Sequence, residues 1–82
     1  MNSIQRRILR ILYAWSLEHF TEYMRKEEFL TRMGIRDPAV TGELLEDLER
    51  KGLVETVPQD GSWEAVRITP DGVKIIRISD II

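Results

Sequence analysis

DPAVTGELLEDLERKGLVETVPQDGSWEAVRIT, at positions 37–69, decides how the rest of the chain is read. Asp37-Pro38 opens a helix, because the carboxylate accepts from orphan N–H groups while proline occupies the first turn, where it has no bond to lose. On a 100° wheel Thr41, Leu45 and Leu48 cluster on one face with Leu44 beside them, leaving Ala39, Glu43, Glu46, Asp47 and Arg50 outward. Gly52 stops this helix after about Lys51. Positions 53–57 alternate apolar and polar as a strand, Pro58-Gln59-Asp60-Gly61 supplies turn chemistry, and positions 63–69 alternate again. A helix running through Gly-Leu-Val into a tight hairpin is the expected centre of the fold.

Upstream, Asn2 or Ser3 caps a first helix whose Ile4, Ile8, Ile11, Leu12 and Trp15 recur at three-and-four spacing and form its core face. A second apolar stripe, Leu9, Tyr13, Leu17 and Phe20, lies roughly 130° round the same helix. It has two readings: packing under the C-terminal segment, or contact with a second copy. Arg6, Arg7 and Arg10 share the remaining arc, the ordinary pattern of a solvated face. Positions 21–24 break the periodicity and read as a connector or short extended segment. A second helix follows over 26–33 with Phe29, Leu30 and Met33 inward, ended by Gly34 in a left-handed conformation, after which Ile35 returns to the core.

Downstream, Thr69-Pro70-Asp71-Gly72 repeats the cap-then-proline signal and predicts a final helix over 70–78. Val73, Ile75, Ile76 and Ile78 are β-branched and suit a strand nearly as well. Together with Ile81 and Ile82, Ile78 leaves an apolar end for a second copy to cover.

The 82 residues suffice for one domain over 1–82, burying roughly 60–65% of its unfolded surface. At 43% hydrophobic and 32% charged the chain is a folded globule rather than a disordered tail. The absence of cysteine excludes disulfides, thiolate metal sites and thiol nucleophiles, and fits a reducing compartment. The longest apolar run, 11–15, falls far below the ~20 residues of a membrane span, and no signal peptide opens the chain. A cytoplasmic protein without membrane contact is expected.

The net charge of -2 is unevenly distributed. Residues 1–36 carry seven Lys/Arg against four Asp/Glu, residues 37–64 two against eight, and residues 65–82 three against two. The helix and hairpin at the centre are therefore strongly acidic.

No assembled chemistry is visible. His19 has no second ligand at a zinc spacing, and the carboxylate pairs Glu27/Glu28 and Glu46/Asp47 have solvated-face explanations. The five glycines are scattered rather than gathered in a phosphate loop. Four have turn or cap explanations; Gly42, inside a helix, costs about 1 kcal/mol relative to alanine and suggests close approach of another backbone, DNA or a helix. Trp15 and Trp63 fit core positions better than base-stacking platforms. No enzyme, metal or cofactor is expected.

The order helix, connector, helix, turn, helix, hairpin, helix resembles the winged helix-turn-helix regulators of bacteria and archaea over essentially the whole chain. EEFLTRMGI (27–35) looks like the first helix of the helix-turn-helix, LLEDLERKGLVE (44–55) like the recognition helix entering the wing, and VRITPDGVKII (66–76) like the second wing strand entering the last helix. The resemblance implies an α+β winged-helix fold whose third helix enters the DNA major groove while flanking residues touch phosphates. By position it places Ala39, Gly42, Glu43, Glu46 and Arg50 toward the groove and Gln59, Asp60, Gly61 and Ser62 at the wing tip. Arg25, Lys26, Arg32 and Arg36, with the N-terminus of the third helix, would supply the positive flank. Two departures stand out: the groove-facing positions carry acids, and the wing tip lacks the arginine or lysine common among these regulators. Phosphate neutralisation dominates DNA affinity, so the acidity opposes the implied use, although Glu43 can accept from a cytosine amino group.

Two functions follow. The first is a homodimeric DNA-binding transcription regulator whose first and last helices join the copies through Leu9, Tyr13, Leu17, Phe20, Ile78, Ile81 and Ile82. The alternative is a protein-interaction module whose acidic third helix and wing meet a basic partner without DNA.

Overall fold

The computed structural model describes residues 2–19, 22–34, 37–58 and 62–81, giving only the backbone of Pro38 and of residues 79–81. Phe20, Ile35, Arg36, Gln59, Asp60, Gly61, Ile82 and the Ile81 side chain lie outside the described residues. The elements are α1 (Ser3–Ser16), β1 (Met24–Arg25), α2 (Lys26–Met33), α3 (Pro38–Arg50), β2 (Val54–Val57), β3 (Ala65–Ile68) and α4 (Pro70–Ile81).

Local chemistry sets most of the boundaries. Asn2 and Gln5 form a capping box on α1: Asn2 Oδ1 accepts from the Gln5 N–H at 2.8 Å, and Gln5 Oε1 accepts from the Asn2 N–H at 3.1 Å. Gly34 ends α2 at φ 70° and Gly52 follows α3 at φ 75°, both in the left-handed region that favours glycine. Asp37 caps α3, its Oδ1 accepting from the Ala39 N–H at 3.0 Å.

Three strands form an antiparallel sheet in the order β1-β3-β2. Met24, at the end of the expected connector, begins a two-residue strand in which it pairs with Val66 and Arg25 with Ala65. In β2 and β3 the inward residues are Val54, Thr56, Val66 and Ile68, so the period-two pattern places one sheet face on the helices. Ile8, Leu9, Leu12, Phe29, Leu45, Leu48 and Ile76 bring all four helices to that core.

Three expectations change. Leu9 is fully buried inside the chain, beside partly buried Tyr13, in the core that α1 shares with α4, β3 and the other helices. Leu9 therefore has no surface to offer a second copy; Leu17 and Ile78, 67% and 54% exposed, do. Ile4 is exposed and Gln5 buried instead, because Gln5 Nε2 donates to Asp47 Oδ2 at 2.8 Å and joins α1 to α3. Asp47 is accordingly half-buried rather than outward. As the capping signal predicts, the segment after Pro70 is a helix, running to Ile81 despite its β-branched residues. Its N-terminus is capped by Thr69 Oγ1, which accepts from the Gly72 N–H at 3.1 Å, and Ile76 is completely buried. Such packing outweighs propensity differences of a few tenths of a kcal/mol per residue.

On the other sheet face Glu55 lies opposite Arg67, whose Nη2 and Nε donate to Glu55 Oε2 at 2.9 and 3.1 Å. The Arg67 guanidinium sits 4.6 Å over the Tyr23 ring. Hydrogen bonding from Arg67, then from the Tyr23 hydroxyl, holds the Glu55 carboxyl below its ordinary value. Burial, then the bond to Glu55, raises the Tyr23 phenol. A carboxyl with a depressed folded pKa contributes stability that is present above its unfolded value and lost as pH falls through the folded one. Thermal melts from about pH 6 to about pH 3 are expected to show wild type losing its advantage over Glu55→Gln across the carboxylate range; an advantage that does not change with pH would contradict this role.

Candidate nucleic-acid interface

With Thr41, Leu45 and Leu48 turned into the core, helical periodicity leaves Ala39, Val40, Glu43, Glu46 and Arg50 exposed on α3. The helix is fastened to the hairpin by Glu49, whose Oε2 accepts from the Thr56 N–H at 3.0 Å and also from the Thr56 hydroxyl. This carboxylate was not singled out from sequence; a buried threonine seven residues beyond a helical glutamate was the available signal.

Trp63, just before β3, is only 6% exposed. Its ring meets Phe29 edge to face with centroids 5.8 Å apart, and Lys26 Nζ lies 5.0 Å from its centroid. Between α3 and this tryptophan runs an open groove of about 720 Å³, lined by Lys26, Gly42, Glu43, Glu46, Glu49 and Trp63 among others. Six sequence-derived positions, Lys26, Ala39, Gly42, Glu43, Glu46 and Arg50, thus converge on one feature.

The charges around it are largely committed. Arg32 pairs with Glu28 at 3.0 Å, Arg50 with Glu46 at 3.4 Å and Lys51 with Asp47 at 3.0 Å, each one turn away on its own helix. Bonds from Gln5 and then Lys51 hold the Asp47 carboxyl below its ordinary value. Glu43 makes no ion pair or side-chain hydrogen bond with any described residue, and neither does the exposed Arg25 at the start of α2. Ser62 is exposed and bonded. Among the described residues no group of three or more His, Asp or Glu is placed to hold a metal ion. None of the helices there is long and apolar enough to cross a membrane.

No protein-family model matches the chain, and no curated protein matches it in sequence. Solved structures do match. The PcaV transcriptional regulator from Streptomyces coelicolor, in complex with its natural ligand, superposes with a TM-score of 0.71 at 28% identity, over 94% of this chain and 51% of that one. The fold is a winged helix. MepR from S. aureus gives a TM-score of 0.67 when bound to ethidium bromide, and 0.66 for a mutant from a multidrug-resistant clinical isolate. Both are 24% identical over 94% of this chain and 53% of theirs. The chain spans about half the length of the regulators it matches. In winged-helix terms α2 and α3 form the helix-turn-helix, and β2 and β3 the wing.

The glycines reverse their expected roles. A Cβ at Gly42 would meet only Trp63 Nε1, at 3.8 Å, an ordinary contact. At Gly72 it would stand 2.2 Å from the Leu53 carbonyl oxygen and 2.7 Å from Ile68 Cγ1, closer than atoms can approach. Gly42→Ala is expected to stabilise the chain by up to about 1 kcal/mol through helix propensity, and Gly72→Ala to destabilise it by about 1–3 kcal/mol or more through overpacking. Urea titration of the two variants reads both signs; equal effects would contradict the packing described.

Proposed function

We propose that the chain is a DNA-binding winged-helix domain of a transcription regulator and acts as a homodimer. The observation carrying this reading is the exposed face of α3, which no other described element covers, set beside the wing in a fold shared at a TM-score of 0.71 with a transcriptional regulator. Ala39, Val40 and Glu43 would meet base edges, with Val40 suited to a thymine methyl and Glu43 to a cytosine amino group. Arg25, Lys26 and Arg32 would touch phosphates, as would Arg36, which lies outside the described residues. Exposed ion pairs such as Arg32–Glu28 and Arg50–Glu46 contribute little, so their cations are available to phosphate. Leu17 and Ile78 support pairing of two copies through α1 and α4, which would set the recognition helices about 34 Å apart.

Sedimentation of the chain with a fluorescent duplex tests both halves of the proposal. At about 50 mM salt two copies per duplex are expected. Arg25→Ala should lower the salt slope by about 0.9 per lost phosphate contact, Glu43→Gln should tighten non-specific binding, and Ile78→Lys should leave one copy per duplex. No complex at that salt, or unchanged affinity in both Arg25→Ala and Arg32→Ala, would contradict DNA binding; a lone copy of wild type would contradict the dimer.

A further inference from the structure

The groove between α3 and Trp63 contains two groups whose bonding capacity is unused. The first is the Trp63 indole N–H. Its residue is 94% buried, yet Nε1 has no hydrogen-bond partner among the described residues. No fully enclosed side-chain nitrogen or oxygen among them lacks a partner, so Nε1 is an atom the groove leaves open. It faces the bare backbone of Gly42, where a side chain longer than alanine's would crowd it. A buried indole N–H ordinarily finds an acceptor, and this one has none among the described residues.

The second is the Glu43 carboxylate, on the turn of α3 that carries Gly42 and free of any described partner. Glu49, deeper in the groove, is already used by Thr56. Glu46 holds Arg50 only in an exposed pair at 3.4 Å, which an incoming cation can displace. At the opposite end Lys26 occupies the Trp63 ring face and repels a second cation there. The groove is thus polar in a definite direction: a donor awaits a neutral acceptor at the indole, and a carboxylate awaits a cation at α3.

We infer that this groove binds a short basic peptide segment, whose backbone carbonyl accepts from the Trp63 N–H and whose arginine or lysine side chain is held by Glu43. A volume of about 720 Å³ lies within the roughly 300–1,000 Å³ of sites that enclose small ligands, which limits the occupant to a few residues. The site does not rest on the DNA-binding reading and is testable without a duplex.

The test is an NMR titration of the whole chain with the blocked pentapeptide Ala-Ala-Arg-Ala-Ala, following its two indole N–H resonances. The Trp63 signal is expected to move saturably while that of Trp15 stays in place. Replacing the peptide's arginine by neutral citrulline, or making Glu43→Gln in the protein, should weaken binding about tenfold, the worth of one charge-assisted hydrogen bond. Glu18→Gln changes the net charge equally in the turn after α1 and should leave binding unaltered. An unmoved Trp63 signal would overturn the inference, as would equal weakening by Glu18→Gln and Glu43→Gln, or a Trp63 signal moved by a random duplex but not by the peptide.

Discussion

Gly72 lies against the Leu53 carbonyl at a distance that admits no side chain, and the geometry of the other elements depends on that contact. Around it the Thr69 N–H donates to the Leu53 carbonyl at 3.1 Å, and the Thr69 hydroxyl donates to the Gly52 carbonyl at 2.6 Å while accepting from Gly72. The Leu53 N–H donates back to Leu48 at 3.0 Å. The end of α3, the start of β2, the end of β3 and the start of α4 are therefore tied within a few residues. This junction sets where α4 leaves the sheet to pack on α1. It also sets how the hairpin leaves α3, which brings Trp63 beneath Gly42. Burying these backbone groups without such partners would cost about 1–3 kcal/mol each.

The acidity of the central segment is real but unevenly available. Asp47 is drawn inward by Gln5 and Lys51, Glu49 is consumed by Thr56, Glu55 belongs to the far sheet face with Arg67, and Glu46 is matched by Arg50. What the α3 surface presents is closer to one uncommitted carboxylate, Glu43, than to a uniformly repulsive face. Summed segment charge overstates the barrier to a polyanion, because screening acts on exposed charges while paired ones largely cancel. It equally understates the selectivity of the surface, since a single unpaired carboxylate beside an unpaired indole N–H discriminates sharply among ligands.

Much of the architecture was legible in sequence because it rests on local chemistry. Asp37-Pro38, Gly34 and Gly52 each act on neighbouring residues, so caps and stops can be read without knowing the fold. The bounds of α2 and the inward face of α3 followed from spacing alone. Long-range relations were not legible. Whether Leu9 faces core or solvent depends on which elements pack on α1, and whether a glycine marks close approach depends on which backbone passes it; the sequence context of Gly72 points to a cap and that of Gly42 to close approach, and only their tertiary neighbours reverse the two. In the groove, Glu43, Gly42 and Lys26 were found through resemblance to winged-helix regulators. The unpaired state of Glu43 and the orientation of Trp63 emerge only when α2, α3 and β3 are brought together.

The proposed meeting place of this chain with DNA is the α3 surface beside the wing. Backbone amide shift mapping of the isotope-labelled chain during titration with a short duplex at low salt tests it most directly. The largest perturbations are expected to gather on residues 25–26, 39–46 and 62–63. Perturbations confined to α1 and α4, or none at all, would contradict it.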